Sequence, residues 1–287
     1  MALFGTLVLT PDAMFMRWSE MDGVQMVAWR GLLMGSVMLI GWFVTSRHRA
    51  HDLAVLRSGP GVSLVVCQFF NSLLFCLGIA VAPVAIVLLG VAAVPVFAAV
   101  FGWLLMKEPT RLSTWIAITA VMIGIVYAVS EGKHGGGGFQ LNGTSTLGAV
   151  LGLGVAVALA LNFVIIRAKP HLPILLTVGC GALLAGSTAA FATGLDMMLE
   201  GHVWAMAVTG AIILPLSFFT LSLASRYTAA TNVSLLMLLE TVLGPAWVWL
   251  VIGEQPSIRM IWGGAVVVIS LVLYLIYSGG VRARRQR

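Results

Sequence analysis

Trp103-Leu-Leu-Met-Lys-Glu-Pro109 closes one long apolar stretch, and Trp249-Leu-Val-Ile-Gly-Glu-Gln-Pro256 closes another 146 positions further on. A match at half the chain length marks two structural copies, and the number of segments per copy decides how they are oriented. Working outward, Val121, Ile123 and Val126 recur as Val267, Ile269 and Val272 at the same offset. Phe69-Phe70 recurs as Phe218-Phe219 at offset 149. Earlier still, Leu9-Thr-Pro-Asp12, followed by Arg17, is echoed by Leu159-Ala-Leu-Asn162 and Arg167 at offset 150. Small insertions account for the drift.

The composition places these copies in a membrane. The chain is 60% hydrophobic and 9% charged, against roughly 25% charged residues in soluble domains, and its mean hydropathy is +1.04. A soluble enzyme is excluded on that ground. About 20 apolar residues are needed for a helix to cross the hydrocarbon core. Ten such stretches are expected, at 2–18, 23–45, 60–80, 83–106, 112–130, 146–167, 171–195, 203–224, 228–252 and 258–278. The loops between them are mostly short, which describes a compact helical bundle. Gly31-Leu-Leu-Met-Gly35 and Gly148-Ala-Val-Leu-Gly152 put small residues one turn apart. They either bring helix backbones close together or are the ordinary small-residue content of membrane helices.

The net charge of +6 is spread along the flanks of the stretches, not gathered in one patch with interleaved aromatics, so no nucleic-acid partner is expected. Placing the N-terminus in the cytoplasm and alternating puts Arg47, Arg49, Arg57, Lys107, Arg111, Arg167, Lys169, Arg226, Arg282, Arg284, Arg285 and Arg287 inside. Arg17, Lys133 and Arg259 fall outside, and Arg30 lies within a stretch. The acidic residues lean the other way. This separation obeys the positive-inside rule, and a missed or extra span would scramble it. Both termini are therefore expected in the cytoplasm. The N-terminus lacks a basic n-region, which argues against a cleaved signal peptide; the first stretch is short, and a trimmed start stays open.

Five stretches per copy is an odd number, so the halves enter the membrane from opposite sides. The expected fold is an all-α membrane protein of ten transmembrane helices in two inverted five-helix repeats, the architecture of many secondary transporters. Residues 1–130 form the first repeat, 131–145 an external connector, 146–280 the second repeat and 281–287 a basic cytoplasmic tail. The run Gly135-Gly-Gly-Gly138 in the connector reads as a flexible link; as a phosphate cradle it lacks the following Lys-Ser/Thr and helix start.

Two five-helix halves, Trp29-Arg30 early in the second stretch, Pro95 twelve residues before the flank of Glu108 and Pro245 shortly before Glu254 resemble the drug/metabolite transporter superfamily, EamA type. The resemblance spans essentially the whole chain. It implies ten helices around a central cavity and transport of small metabolites, often amino-acid export; exporters of the YddG type belong to this superfamily. Two departures stand out. Pro245 lies one helical turn from the repeat partner of Pro95, and Pro11-Asp12 stands where many members carry a Trp-Gly and Asn pattern.

Asp12, Arg30 and Glu240 fall inside apolar stretches. Each costs roughly 2.5–3.5 kcal/mol in lipid on insertion scales, so they should face a cavity or one another. Asp12 follows Pro11, whose ring removes a helix hydrogen bond. Arg30 can fork onto a carboxylate, either from the substrate or from Asp12 as a structural pair. Glu240 has Val94 at the aligned position of the other half, and it is the candidate for proton coupling; a carboxylic acid bonded to a neighbouring helix is the plainer alternative. Gln68, Asn71, Asn162 and Asn232 form a second tier of substrate-binding candidates, as does Ser234; all suit interhelical hydrogen bonds equally. Pro11, Pro95 and Pro245 are the hinge candidates, with tolerated kinks as the alternative.

Cys67, Cys76 and Cys180 lie in apolar stretches without a CxxC pair and read as small core residues, so neither metal nor cofactor is expected. His48, His51, His134, His171 and His202 all lie between stretches. No catalytic residue is assigned, because paired carboxylates and nucleophile–base spacings near span ends are missing. The expected function is therefore a multi-pass secondary transporter of the bacterial inner membrane, exporting amino acids or related small metabolites by alternating access. A multidrug exporter, in which Glu240 attracts cations, is the close alternative; an ion channel and a membrane enzyme are more distant. The partners are a small-molecule substrate and the lipid bilayer, with the chain acting as a monomer or homodimer.

Overall fold

The computed structural model describes residues 1–107, 112–131, 140–141, 143–194, 197–228 and 230–285, with backbone alone at 112–115, 117, 118, 121, 129–131, 140, 141, 231, 232, 235, 271 and 274–285. The described residues form a helical bundle, and helix is found within each of the ten expected stretches. The first is split into α1 (Ala2–Leu9) and α2 (Asp12–Trp18). α3 (Gly23–Thr45), a short α4 (Arg49–Leu56) and α5 (Gly59–Val81) follow. The fourth stretch is again two pieces, α6 (Val84–Val91) and α7 (Val94–Met106), before α8 (Leu112–Val129). The second half holds α9 (Gly143–Ala168), α10 (Ile174–Thr193), α11 (Val203–Val208), α12 (Leu214–Tyr227), α13 (Ala230–Leu236), α14 (Leu238–Ile252) and α15 (Ile258–Arg285).

Among the described residues, six segments are long and apolar enough to cross a membrane: Gly23–Thr45, Gly59–Val81, Val84–Met106, Gly143–Ala168, Ile174–Thr193 and Val203–Tyr227. Leu238–Ile252 and Ile258–Ser270 are shorter apolar helices. This is the build of a multi-pass membrane protein. Helix α4 was not anticipated; its eight residues are all exposed or half-buried. Asp52 ties it down by accepting from Trp42 Nε1 at 2.8 Å and Ser46 Oγ at 2.6 Å. The Gly135-to-Gly138 run lies outside the described residues. The described ends of the connector meet, Ser130–Glu131 pairing antiparallel with Gln140–Leu141.

The helix breaks have local causes. Pro11 has no N–H to give Leu7, and the Thr10 hydroxyl donates to that freed carbonyl at 2.9 Å, the usual remedy for a broken helix away from water. Pro95 sits in the first turn of α7, and the chain tightens before it, Ala93 N–H bonding Gly90 O at 3.1 Å. A π-turn at Thr209–Ile213 joins α11 to α12, immediately before Pro215. In the ninth stretch the break lies at Met237, between α13 and α14. Pro245 sits inside α14, so the interruption of this stretch precedes the proline by two turns.

Glycines set the closest helix approaches. A Cβ on Gly31 would stand 2.5 Å from Gly186 N and 2.6 Å from Ala182 O, and one on Gly35 2.6 Å from Leu183 N, so α3 and α10 meet backbone to backbone. A Cβ on Gly152 would stand 2.3 Å from Val87 O, which locks α9 onto α6. Both small-residue motifs therefore make contacts that no larger residue allows. Around these seams, α5 and α6 pack on α9, α1 on α12, α2 on α14, and α8 on α15.

Candidate functional site

Helices α2, α3, α5 and α14 converge on a small cavity near the middle of the bundle, to which Asp12, Arg30, Gln68, Asn71 and Glu240 all contribute. Its open volume is about 30 Å³, room for roughly one or two waters. Breaks in the backbone bring the carboxylates there. Asp12 is the first residue of α2, directly after the Pro11 interruption, and Glu240 lies in the first turn of α14, just after the Met237 break. Half-helices starting at membrane depth, with irregular backbone against a cavity, are the known way to build a site in a bundle. Trp247 Nε1 on α14 reaches across to Thr10 Oγ1 at 3.3 Å, bracing the break in the first stretch.

The three ionisable groups are buried: Asp12 is 0% exposed, Arg30 7% and Glu240 3%. Arg30 Nη1 donates to Asp12 Oδ2 at 2.7 Å and also contacts Met16 Sδ. The guanidinium carbon stands 5.3 Å from the centre of the Phe75 ring, so the aromatic face gives the cation a second partner. The pair is incomplete on the acid side. Asp12 Oδ1 is buried without a hydrogen-bond partner among the described residues, and so is Gln68 Oε1. The Gln68 amide nitrogen donates to Ser72 Oγ at 3.2 Å. Two carboxylates against one guanidinium leave the cavity one negative charge in excess when all three are ionised, a costly state away from water.

A second constellation lies at the end of α2. Arg17, in the last turn of α2, forms an ion pair with Glu254 across 3.1 Å, Nε to Oε2. Its Nη2 donates to Ala82 O at 2.7 Å, and Glu254 Oε1 accepts from Val84 N–H at 3.2 Å, capping the start of α6. At the same end the 197–202 segment is fastened to α2 and α3. Gln25 Nε2 donates to Met197 O at 2.7 Å and Glu200 O at 2.8 Å, Trp29 Nε1 donates to Met198 O at 2.7 Å, and His202 N–H donates to Ser19 O at 2.8 Å.

Five of the eight polar candidates from the sequence thus share one cavity; Ser234, buried on α13, does not line it. Asn162 does not line it; it is buried within α9, its Oδ1 without a partner among the described residues. Asn232 lies on α13, where its side chain is outside the described residues. Trp29 and Trp247 act as hydrogen-bond braces, while Trp103 and Trp249 are exposed on the bundle surface. Glu254 is away from the cavity, and Glu108 lies outside the described residues. Sequence reasoning missed Ser72, Phe75 and Phe218, which line the cavity. The first two share a helical face with Gln68 and Asn71, and Phe218 belongs to a repeated Phe-Phe pair, so spacing alone pointed to all three.

Residues 1–130 match the model of a family described as the EamA-like transporter family. None of the curated proteins matches the chain. Eleven solved chains match. One, described as "Crystal structure of protein", is 16% identical, with a TM-score of 0.65, and the alignment covers 98% of this chain and 96% of that one. At that identity the likeness speaks for the fold.

Proposed function

We propose that the chain is a secondary transporter that exports amino acids or related small metabolites across the bacterial inner membrane, by alternating access of two inverted five-helix halves. The observation that carries this reading is the buried Asp12–Arg30 pair with Glu240 beside it, in a cavity built from both halves of the sequence. Charges held at such depth in an apolar bundle mark a substrate or ion path. The match of residues 1–130 to a transporter family supports it.

The inverted repeat, with residues 1–130 and 146–280 as its halves, draws support from the neighbour relations of the helices. Advance each stretch by five places around the ten. The contact of α5 with α9 then becomes that of α12 with α1, and the contact of α6 with α9 becomes that of α14 with α1 and α2; all four pairs are observed. The α3–α10 and α8–α15 pairs map onto themselves. The breaks before α7 and α14 fall at nearly equivalent positions of the two halves. On this reading Arg17 and Glu254 lie at the outer face and hold it shut, Pro11 and Pro95 serve as hinges beside the cavity, and Glu240 carries the coupling proton. A cavity of about 30 Å³ has no room for an amino acid, so substrate enters through a rearrangement of the halves.

Flux of labelled amino acids in liposomes holding the purified protein tests the proposal. Saturable flux that responds to a pH gradient and is lost in Arg30→Leu supports it. Coupling through Glu240 fails if Glu240→Gln leaves pH-driven flux unchanged, and continuous currents far above transporter turnover would make the protein a channel. The second reading, an exporter of organic cations, is favoured by one observation: Asp12 Oδ1 and Gln68 Oε1, both acceptors in the cavity, are buried without a partner among the described residues.

A further inference from the structure

We infer that the cavity recognises its substrate through a protonated primary or secondary amine, not through a carboxylate or a quaternary ammonium ion. The inference rests on the transport reading for its physiological meaning and on the cavity itself for its chemistry.

The polar groups left unsatisfied in the cavity are acceptors. Asp12 Oδ1 and Gln68 Oε1 have no partner among the described residues, and the Glu240 carboxylate lines the same cavity. Arg30 Nη1 is already committed to Asp12 Oδ2, and the guanidinium packs over Phe75. A buried acceptor without a donor loses the full worth of its hydration. A ligand that brings N–H groups repairs that loss; one that brings a carboxylate adds acceptors to a site that already holds two orphaned ones. Charge points the same way whenever Glu240 is ionised, since one ammonium then cancels the negative excess of Asp12 and Glu240 over Arg30.

Size separates the classes of cation. The open space of about 30 Å³ suits a water-sized group. An –NH₃⁺ head is of that size, whereas a trimethylammonium head is several times larger and offers no N–H. Phe75, Phe218, Leu159, Met34 and Met237 are among the apolar residues of the lining, suited to a hydrocarbon or aromatic body once the halves move apart. An amino acid fits through its ammonium end, and the corresponding amine, without the carboxylate, fits at least as well.

Four probes with one ring and different heads test this: phenethylamine, phenylalanine, 3-phenylpropionate and N,N,N-trimethylphenethylammonium. The readout is the rise in apparent melting temperature of the full-length purified protein, which reports binding to the native state. Phenethylamine should stabilise the protein at least as strongly as phenylalanine, with the other two inactive. Glu240→Gln should weaken phenethylamine binding at least tenfold. If Glu240→Gln fails to fold, Glu240→Asp, which keeps the charge, should retain part of the response. Binding of the quaternary ion equal to that of the amine overturns the inference, as does preference for 3-phenylpropionate or silence of both amine-bearing probes. Should the amine-bearing probes fail while liposomes still move amino acids, the inference falls and the transport reading stands. Should they bind without any flux, the transport reading falls and the amine site stands.

Discussion

Arg17 and Glu254, 237 positions apart in the chain, meet across 3.1 Å at the end of α2, and through Ala82 O and Val84 N–H they join three helix ends into one knot. Their side chains are 26% and 29% exposed. A pair so placed contributes only about 0–1 kcal/mol to stability. That is little for folding but enough to bias two conformations of similar energy.

The first prediction concerns this knot. Arg17→Gln or Glu254→Gln should leave the melting temperature nearly unchanged and increase opening at that end. With Cys67, Cys76 and Cys180 replaced by Ala, a cysteine at Val248, which is 1% exposed, reports the opening by its rate of labelling with a membrane-impermeant maleimide. Both single variants should label several-fold faster, and the swap Arg17→Glu with Glu254→Arg should return the rate toward the parent. Equal rates in all four proteins would remove the knot from the gating scheme.

Removing one partner of the buried pair should be far more damaging. Asp12→Ala leaves Arg30 charged and unpaired in the bundle, a loss of about 3–5 kcal/mol in comparable buried pairs. The double variant Asp12→Leu with Arg30→Leu removes both members of the pair and should recover most of that stability while abolishing flux. Unfolding in detergent measures the first effect and liposome flux the second. A double variant no more stable than Asp12→Ala would assign the damage to packing.

Which parts of this arrangement the amino-acid sequence disclosed follows from how each is encoded. The helical stretches were readable because apolar length is a property of consecutive residues. Asp12, Arg30 and Glu240 were readable because a charge in such a run has few places to go. Glu254 was conspicuous as half of a repeated motif, but its ion pair with Arg17 joins residues 237 apart, and no local pattern encodes that. Pro245 misled for a related reason. A proline in the sequence marks a missing N–H, but packing decides whether the helix breaks there, and in the ninth stretch it breaks at Met237. Asn162 echoes Asp12 by position, yet α9 is continuous where the first stretch is broken. The two positions therefore differ in backbone as well as in side chain.

The Pro11 break makes the third prediction. Pro11 has φ −82° and ψ −4°, within reach of any residue, so Pro11→Ala restores an N–H facing Leu7 O without backbone strain. The carbonyl already holds a bond from the Thr10 hydroxyl at 2.9 Å, so the gain in stability should be modest, about 0.5–1.5 kcal/mol. Joining α1 to α2 should nevertheless slow flux severalfold, the usual exchange of activity for rigidity. Unchanged flux would mean that the break is static.

The glycine seam between α3 and α10 should tolerate nothing larger. Gly31→Ala and Gly186→Ala each put a methyl within 2.6 Å of opposing backbone atoms, which cannot rotate away as a side chain can. Each should cost about 1–3 kcal/mol by overpacking. Gly41→Ala is the internal control: its Cβ would lie 3.8 Å from Leu175 Cδ1, in ordinary contact. That variant should match or slightly exceed the parent, because Ala favours helix over Gly by roughly 1 kcal/mol. Equal melting temperatures for the three variants would show that the two helices separate easily.

The last prediction addresses the 197–202 segment. Gln25 is 3% exposed, and its amide holds Met197 O and Glu200 O at 2.7 and 2.8 Å. Gln25→Leu keeps the approximate volume, removes both donors and leaves the Trp29–Met198 bond in place. Each lost bond is worth about 0.5–1.5 kcal/mol, and the loss should be local, because the segment contributes no residue to the buried core. Hydrogen exchange should therefore quicken by roughly tenfold at residues 197–202, with little change in α9 and α10. If the segment is a passive cover, flux will not change. If it must release before the halves can move, flux in Gln25→Leu will rise along with the exchange rate, and restoring the donors with Gln25→Asn, whose shorter arm reaches at most one carbonyl, will bring both part of the way back.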